Sequence, residues 1–349
     1  MLPDKRAAEL NRRRFLMIAA ATAALPARAS AQVVTGPTAK APVSIDVEAR
    51  PIPAFDTRDR SHLRFGSLQY RSGLVLTSKF YGFGGLSGLR LDPKGERFIA
   101  VSDKGTWFTG RIVYRGDIMA GLADVEAAPM LGADGRPIAG RGWYDTESIA
   151  LDGPLVYVGI ERVNQILRFD FGKDGIRSLG QVVPTPAGVR KLPNNKGLES
   201  LVMVPKGLPL AGTLIAISER GLDAEGNILA FLIGGPMPGQ FSIRRTNDFD
   251  ISDAVVLPSG DLLVLERKFS LLSGMVVRIR RMSLKSVASG VTIDGSSIFE
   301  ADLGYEIDNL EGIDAHTAAD GSIVLTLVSD DNFSMIQRTL LLQFTLIDD

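Results

Sequence analysis

The chain has 349 residues, with 39 basic and 40 acidic side chains, a formal charge of −1, two histidines and no cysteine. The absence of cysteine excludes disulfides, thiolate nucleophiles and zinc–thiolate sites, and two histidines are too few for a multi-histidine metal site. A near-neutral chain lacks the basic face that contacts with backbone phosphates require, so we expect no nucleic-acid partner.

The first 31 residues have the pattern of an export signal. Arg13 and Arg14 precede the short apolar run 15–25, and residues 29–31 supply the small side chains of a cleavage site. The arginine pair indicates the twin-arginine route to the periplasm or out of the cell. The apolar run is shorter than the roughly twenty residues that span a bilayer. We therefore expect a twin-arginine signal peptide over 1–31 and no stable membrane span after its cleavage; an uncleaved, tethered form is the alternative.

An internal repeat of about fifty-five residues follows, which is the signature of a repeat architecture. Each unit has a strand that begins near a small or acidic residue, a Gly/Pro/Asp turn, a second apolar strand, an acid usually followed by a base, and a third apolar strand. The five units begin at Gly85, Thr146, Leu198, Ser252 and Leu310. Such units predict antiparallel meanders, and their radial repetition predicts a β-propeller. A β-sandwich is the alternative, but it gives no reason for the acid to recur.

The sequence also predicts how the propeller closes. The fifth unit ends after its third strand, so the outer strand of that blade must come from the segment 43–77. We therefore expect an all-β propeller of six blades, each a four-stranded antiparallel sheet, closed by N-terminal and C-terminal strands. The segment 32–60 is expected to be partly linker, and 61–349 to be the propeller domain of a monomer.

Acids recur at two positions that meet at one end of each predicted hairpin. The expected neighbours are Glu147 with Glu161, Glu199 with Glu219, Asp253 with Glu266, and Glu311 with Asp330. Around a channel these acids form a double ring at one mouth, where like charges repel and require cations or raised pKa values. Oxygen-only clusters suit hard cations, so we expect Ca²⁺, with Mg²⁺ or no metal as the alternatives. The candidate metal ligands are Asp103, Glu147, Glu161, Glu199, Glu311 and Asp330.

Basic residues accompany these acids in most units. The candidate substrate-binding residues are Lys104, Arg162, Lys196, Arg220 and Arg267. A metal flanked by such bases suits a small phosphorylated or anionic substrate. The alternative is a set of acid–base ladders that only hold the blades together.

Six short segments of these units resemble the phytase-like family (esterase-like activity of phytase) of secreted β-propellers. They are residues 84–89, 102–105, 145–149, 195–201, 218–221 and 309–313, and the resemblance covers roughly residue 66 to the C terminus. It implies phosphoesterase or esterase activity. A more distant resemblance to calcium-dependent propeller phytases implies calcium that bridges the substrate phosphate, and a metal-bound water as nucleophile. Glu219 is the candidate base. Ser87 and Asp253 stand where sister repeats have glutamate, as expected if one side of the ring holds a ligand.

These observations predict an exported, calcium-dependent hydrolase of the phosphoesterase or esterase-like kind, which acts on a phosphate-bearing small molecule. The alternative is a non-catalytic periplasmic propeller that binds a ligand or protein and whose metal is structural. An accessible metal site beside a basic pocket would favour the enzyme. Fully paired acids and bases around a blocked channel would favour the binding protein.

Overall fold

A computed structural model describes residues 41–270 and 274–347. The predicted signal peptide lies outside these residues and stays a prediction. In the part of the chain that is described, no helix combines the length and apolar character needed to cross a bilayer.

The described residues form 25 short strands, because apolar and β-branched runs alternate with turns rich in glycine, proline and aspartate. In chain order the strands are β1 (Val43–Ser44), β2 (Glu48–Ile52), β3 (Arg64–Phe65), β4 (Leu68–Thr77), β5 (Leu86–Leu91), β6 (Arg97–Ser102), β7 (Thr106–Arg115), β8 (Ile118–Pro129), β9 (Leu131–Gly132), β10 (Thr146–Asp152), β11 (Leu155–Ile160), β12 (Gln165–Asp170), β13 (Leu179–Val183), β14 (Leu198–Met203), β15 (Thr213–Leu222), β16 (Ile228–Gly234), β17 (Gly239–Ile243), β18 (Asp250–Val256), β19 (Asp261–Ser270), β20 (Gly274–Ser283), β21 (Thr292–Ile293), β22 (Ser296–Asp302), β23 (Asn309–Thr317), β24 (Ile323–Asp330) and β25 (Thr339–Leu346). Over residues 41–270 and 274–347 the helices are one α-helical turn, α1 (Phe171–Asp174), and five 3₁₀ turns at Ile138–Arg141, Glu161–Val163, Gly175–Arg177, Val189–Lys191 and Leu284–Ser286.

These strands make a propeller of five blades. From the innermost strand outward, blades 1 to 5 are β5-β6-β7-β8, β10-β11-β12-β13, β14-β15-β16-β17, β18-β19-β20-β22 and β23-β24-β25-β4. The five innermost strands contact one another in a closed ring. The all-β propeller is therefore confirmed.

The predicted count of six blades is wrong. The segment 43–77 forms no separate sheet, because each of its strands belongs to the sheet of blade 1 or of blade 5. β1 extends the edge of blade 1, while β2, β3 and β4 join blade 5. In blade 5, β4 pairs antiparallel with β25, with Leu76 opposite Thr339 and Leu68 opposite Leu346.

The core consists of five apolar clusters, one between each pair of neighbouring blades. The second strand of a blade contributes to two of them, since successive side chains of a strand point to opposite faces. On β15, Leu214 and Ala216 face blade 2, whereas Ile215 and Ile217 face blade 4. This arrangement explains why the second strands are apolar at consecutive positions.

A buried ion pair lies inside the ring of innermost strands. Arg90 on β5 donates to both carboxylate oxygens of Asp253 on β18, at 2.8 and 3.0 Å. Its guanidinium also donates to the carbonyl oxygens of Leu201, Ala254 and Ile313, at 3.0 to 3.2 Å. One side chain thus links blades 1, 3, 4 and 5 and closes the channel.

We expect Arg90→Met to lower the free energy of unfolding by about 3–5 kcal/mol, because it leaves the carboxylate of Asp253 buried without its partner. Urea denaturation measures the change. Arg111→Met is the matched control, since Arg111 forms an exposed ion pair with Asp124 in the same blade at 2.8 Å. That substitution should lower the free energy of unfolding by at most about 1 kcal/mol.

The double variant Arg90→Met/Asp253→Leu removes both charges and should recover much of the lost stability. Equal losses of unfolding free energy for Arg90→Met and Arg111→Met would contradict the central role of the buried pair.

Candidate functional site

A β-bulge occurs near the start of every innermost strand, at the same position in each blade. The extra residues are Ser87, Glu147, Glu199, Ser252 and Glu311. A bulge changes the direction of a side chain and is common beside active sites. It also corrects the predicted ring: Ser252, and not Asp253, is the residue of blade 4 that corresponds to the glutamates. Asp253 lies one position deeper, where it binds Arg90.

A second ring is formed on the second strands. In each blade its member directly follows the residue that pairs with the last residue before the bulge. Its members are Asp103, Glu161, Glu219, Arg267 and Asp330. In blade 4 the predicted acid, Glu266, is one residue too early for this ring. It is buried instead in ion pairs with Arg278 and Arg280, at 2.7 and 2.5 Å. The expected pairing of Asp253 with Glu266 at the mouth is therefore wrong.

Three of the mouth carboxylates come close enough to share a cation. Glu161, Glu199 and Glu219 are buried, and each offers one oxygen within 4.8 Å of the others. The backbone N–H of Gly197 donates to Glu161 at 2.7 Å, and the ammonium of Lys196 lies 3.2 Å from Glu219. Blades 2 and 3 therefore bring together two of the candidate metal ligands and the candidate base.

The other four candidate ligands, Asp103, Glu147, Glu311 and Asp330, belong to the two rings but not to this close group.

Arg267 takes the position in blade 4 that acids have in the other blades, and it contacts several of them. Its guanidinium forms an ion pair with Glu311 and lies 3.4 Å from Glu199 and 3.7 Å from Glu219. It also donates to the side-chain oxygen of Asn309 at 2.6 Å. Arg267 was predicted to bind substrate, but its contacts in the structure neutralise acids of the mouth.

The remaining predicted substrate-binding residues differ in how firmly other side chains hold them. Arg220 is held by Asp250, with its Nε at 2.8 Å from Oδ1. Arg162 and Lys104 stack on aromatic rings of the mouth loops, at 4.9 Å from the centroid of Tyr144 and 2.9 Å from that of Phe333. Lys196 keeps 41% of its side chain exposed while it contacts Glu219.

Sequence reasoning missed several residues of this region. Asp250, Asn309 and Phe333 hold predicted site residues in place, and Arg90 closes the channel below them. A signal existed for Arg90, since it is a lone charge inside the apolar strand β5. The contacts of Phe333 cross between blades 1 and 5, so no local pattern could indicate them.

Burial and mutual repulsion raise the pKa values of six of the mouth acids. Burial is the largest cause for each of them, and neighbouring carboxylates add to it. The pKa is raised to about 7 for Asp103, about 7 for Glu161, about 8 for Glu311 and about 6 for Asp330. Burial, with the charge of Glu311, raises the pKa values of Glu147 and Glu199 well above the usual range.

The two rings fit a hard divalent cation. The donors are carboxylate oxygens, which Ca²⁺ and Mg²⁺ prefer. Seven acids line the rings, whereas Arg267 is the one base among the ten ring positions. The raised pKa values show that the ionised acids lack sufficient compensation, which a bound cation would supply.

Without divalent cations, we expect the free energy of unfolding to fall as the pH rises from about 5 to about 8. The pKa values of Asp103, Glu161 and Glu311 are higher in the folded protein than their unfolded values of about 4. The folded state therefore binds more protons in this range and loses stability as they dissociate, at about 1 kcal/mol per pH unit. Urea denaturation with a chelator present measures the slope.

Glu199→Gln and Glu311→Gln cannot ionise and should make this slope shallower, whereas the exposed Glu126→Gln should leave it unchanged. A wild-type stability that increases with pH over the same range would contradict the expectation.

The chain resembles known proteins through a family model and through solved structures. The family model "Phytase-like: Esterase-like activity of phytase" matches residues 81–333. A search of curated proteins found no match. Similar solved structures include a Thermus thermophilus protein described as a putative oxidoreductase (glucose dehydrogenase), at 16% identity, with 84% of this chain and 100% of that chain covered and a TM-score of 0.33. Another is the Pan2 WD40 domain of Neurospora crassa, at 13% identity, 76% and 90% coverage and a TM-score of 0.33. Since the family match extends over more than half of its length, this chain belongs to the phytase-like family.

Proposed function

We propose that the protein is a calcium-dependent hydrolase of phosphate esters that acts at the carboxylate mouth. The observation that carries the proposal is the close group of Glu161, Glu199 and Glu219, whose oxygens lie within 4.8 Å of one another. Membership of a family described by esterase-like activity of phytase supports the same reaction class.

Glu161 and Glu199 would hold the cation. When bound, it would supply Lewis-acid chemistry, which neutralises charge on a phosphoryl group and makes a neighbouring water more acidic. Glu219 would accept a proton from an attacking water, because its carboxylate lies within 4.8 Å of the two ligands. The partly exposed ammonium of Lys196 can bind an anionic substrate oxygen.

Asp103 is suited to proton transfer to a leaving group. Burial and the charge of Asp330 raise its pKa to about 7, so both protonation states are populated near neutral pH. One of its carboxylate oxygens is buried and makes no hydrogen bond to any described residue.

A second candidate function is a binding propeller whose metal is structural. Arg220 and Arg267 are both held in ion pairs, and the Arg90–Asp253 pair closes the channel. Acids nevertheless outnumber bases in the two rings, which favours a cation site over simple acid–base ladders.

Export remains a proposal that rests on the sequence of residues 1–31. A fusion of this segment to a reporter should reach the periplasm, and Arg13→Lys/Arg14→Lys should retain the reporter in the cytoplasm.

The decisive assay is hydrolysis of a panel of phosphomonoesters, including phytate, by metal-stripped mature protein with and without added Ca²⁺. We expect turnover that depends on calcium and falls at least about 100-fold in Glu199→Gln, since that variant loses a cation ligand. Glu126→Gln is the control, because Glu126 is exposed on β8 and lies outside both rings.

No turnover across the panel, with calcium still raising the melting temperature, would replace the hydrolase with the metal-stabilised binding propeller. Neither turnover nor a calcium-dependent shift in melting temperature would remove the cation site as well.

A further inference from the structure

Large apolar side chains are strongly exposed at one end of the molecule. Among the described residues, the five most exposed large hydrophobic side chains, at 58% to 103%, are Leu303, Phe269, Tyr81, Ile336 and Met335. All five lie on connections beside the carboxylate mouth: the loop before β5, the β19–β20 hairpin, the loop before β23 and the loop between β24 and β25. We call these five residues the apolar rim.

The loops of the apolar rim touch one another. Leu303 packs over Gly274 of the β19–β20 hairpin, where an added Cβ would lie 2.7 Å from it. The loop that follows Leu303 is bound by Arg338, whose backbone N–H donates to Asp308 at 3.0 Å. These contacts bring the loop of Leu303 beside the hairpin of blade 4 and beside the loop of blade 5 that carries Met335 and Ile336.

The loop that carries Met335 and Ile336 also contacts blade 1 and residues of the mouth. Asp331, in the loop of Met335 and Ile336, accepts a hydrogen bond from the backbone N–H of Gly85 at 2.9 Å. Phe333 in that loop lies under the ammonium of Lys104, which follows the ring acid Asp103. The apolar rim thus borders one side of the mouth, over blades 4, 5 and 1, while the close carboxylate group lies on blades 2 and 3.

The charges of the mouth do not suit a substrate with many phosphates. Seven acids line the two rings, and Arg220 and Arg267 are already bound to carboxylates. A polyanion would therefore require more cations or bases at the mouth than a substrate with one phosphate does. A single phosphate beside a bound cation and Lys196 is far less costly.

We propose that the substrate is an amphiphilic phosphate monoester, with its one phosphate at the carboxylate mouth and its alkyl or aryl group on the apolar rim. This inference rests on the proposed hydrolase and specifies its substrate class. Exposed apolar side chains grouped at one end of a molecule indicate an interaction site. Their position beside the mouth, together with the excess of acids there, points to the apolar part of a monoanionic or dianionic ester as the occupant.

Steady-state kinetics on alkyl phosphates from ethyl to octyl test the proposal with calcium-loaded protein, below the concentrations at which the esters form micelles. We expect kcat/KM to increase about two- to fourfold for each added methylene that the rim covers. Phytate should be a poorer substrate than octyl phosphate. The triple variant Phe269→Ser/Met335→Ser/Ile336→Ser should abolish the dependence on chain length and leave the rate for ethyl phosphate unchanged.

Met237→Ser is the matched control, because Met237 is 48% exposed in the β16–β17 hairpin at the opposite end of blade 3. It should preserve the dependence on chain length. Calcium-dependent hydrolysis with equal kcat/KM for ethyl and octyl phosphate would overturn this inference and leave the hydrolase intact.

Calorimetry with ethyl- and octylphosphonate, which cannot be hydrolysed, separates the two proposals. If no ester is hydrolysed, the hydrolase fails, and tighter octylphosphonate binding that the triple variant removes would still establish the apolar rim as a ligand site. Equal affinities for the two phosphonates would overturn the proposal that the apolar rim binds the alkyl group. Binding to phosphatidic acid vesicles without binding to monomeric octylphosphonate would replace the small amphiphile with a membrane surface.

Discussion

The buried contact between Arg90 and Asp253 is the constraint on which the ring depends. Five innermost strands meet around one axis, and the Arg90 guanidinium bonds to a carboxylate or carbonyl on three strands besides its own. Asp253 in turn accepts hydrogen bonds from Ser200 and from the backbone of Ile313, at 3.1 and 3.0 Å. Since neither charge reaches water, each requires the other, and together they hold the blades in one register. They also fill the ring of innermost strands below the carboxylate mouth.

Above the Arg90–Asp253 pair, acidic side chains lie close together, and their mutual repulsion lowers the stability of the folded protein. The bulges give three blades a glutamate at one level, and the second strands add four more acids at the next. Arg267 offsets part of this repulsion through its contacts with three glutamates. Groups of charges that destabilise the fold in this way are typical of functional sites, because a bound ligand supplies the opposite charge that the protein lacks. The same reasoning connects the two proposals, since an excess of acids favours a cation and disfavours a polyanionic substrate.

Sequence patterns predicted the fold better than the details of the site. The repeat, with second strands that are apolar on both faces, was sufficient for a propeller and for acids at one mouth. The count of blades failed because strands such as β4 complete existing sheets instead of forming a new one. The assignments of Asp253 and Glu266 failed because a bulge adds one residue to each first strand, and in blade 4 the acids lie one position away from the ring. Contacts between distant blades, such as Lys104 with Phe333, have no local signal in the sequence.

Blade 5 has a consequence for the order in which the molecule can fold. Its strand β4 is made early in synthesis, yet its partner β25 lies about 270 residues further along the chain, at the end of the last repeat. Until β25 is available, β4 presents an unpaired edge, which is a template for pairing with other chains. Closure of the ring is therefore a late event with a high entropic cost, and loss of the last strand alone would leave two open edges, on β4 and on β24. A protein built in this way is expected to fold slowly but to open rarely, since blade 5 cannot open without breaking the pairing between β4 and β25.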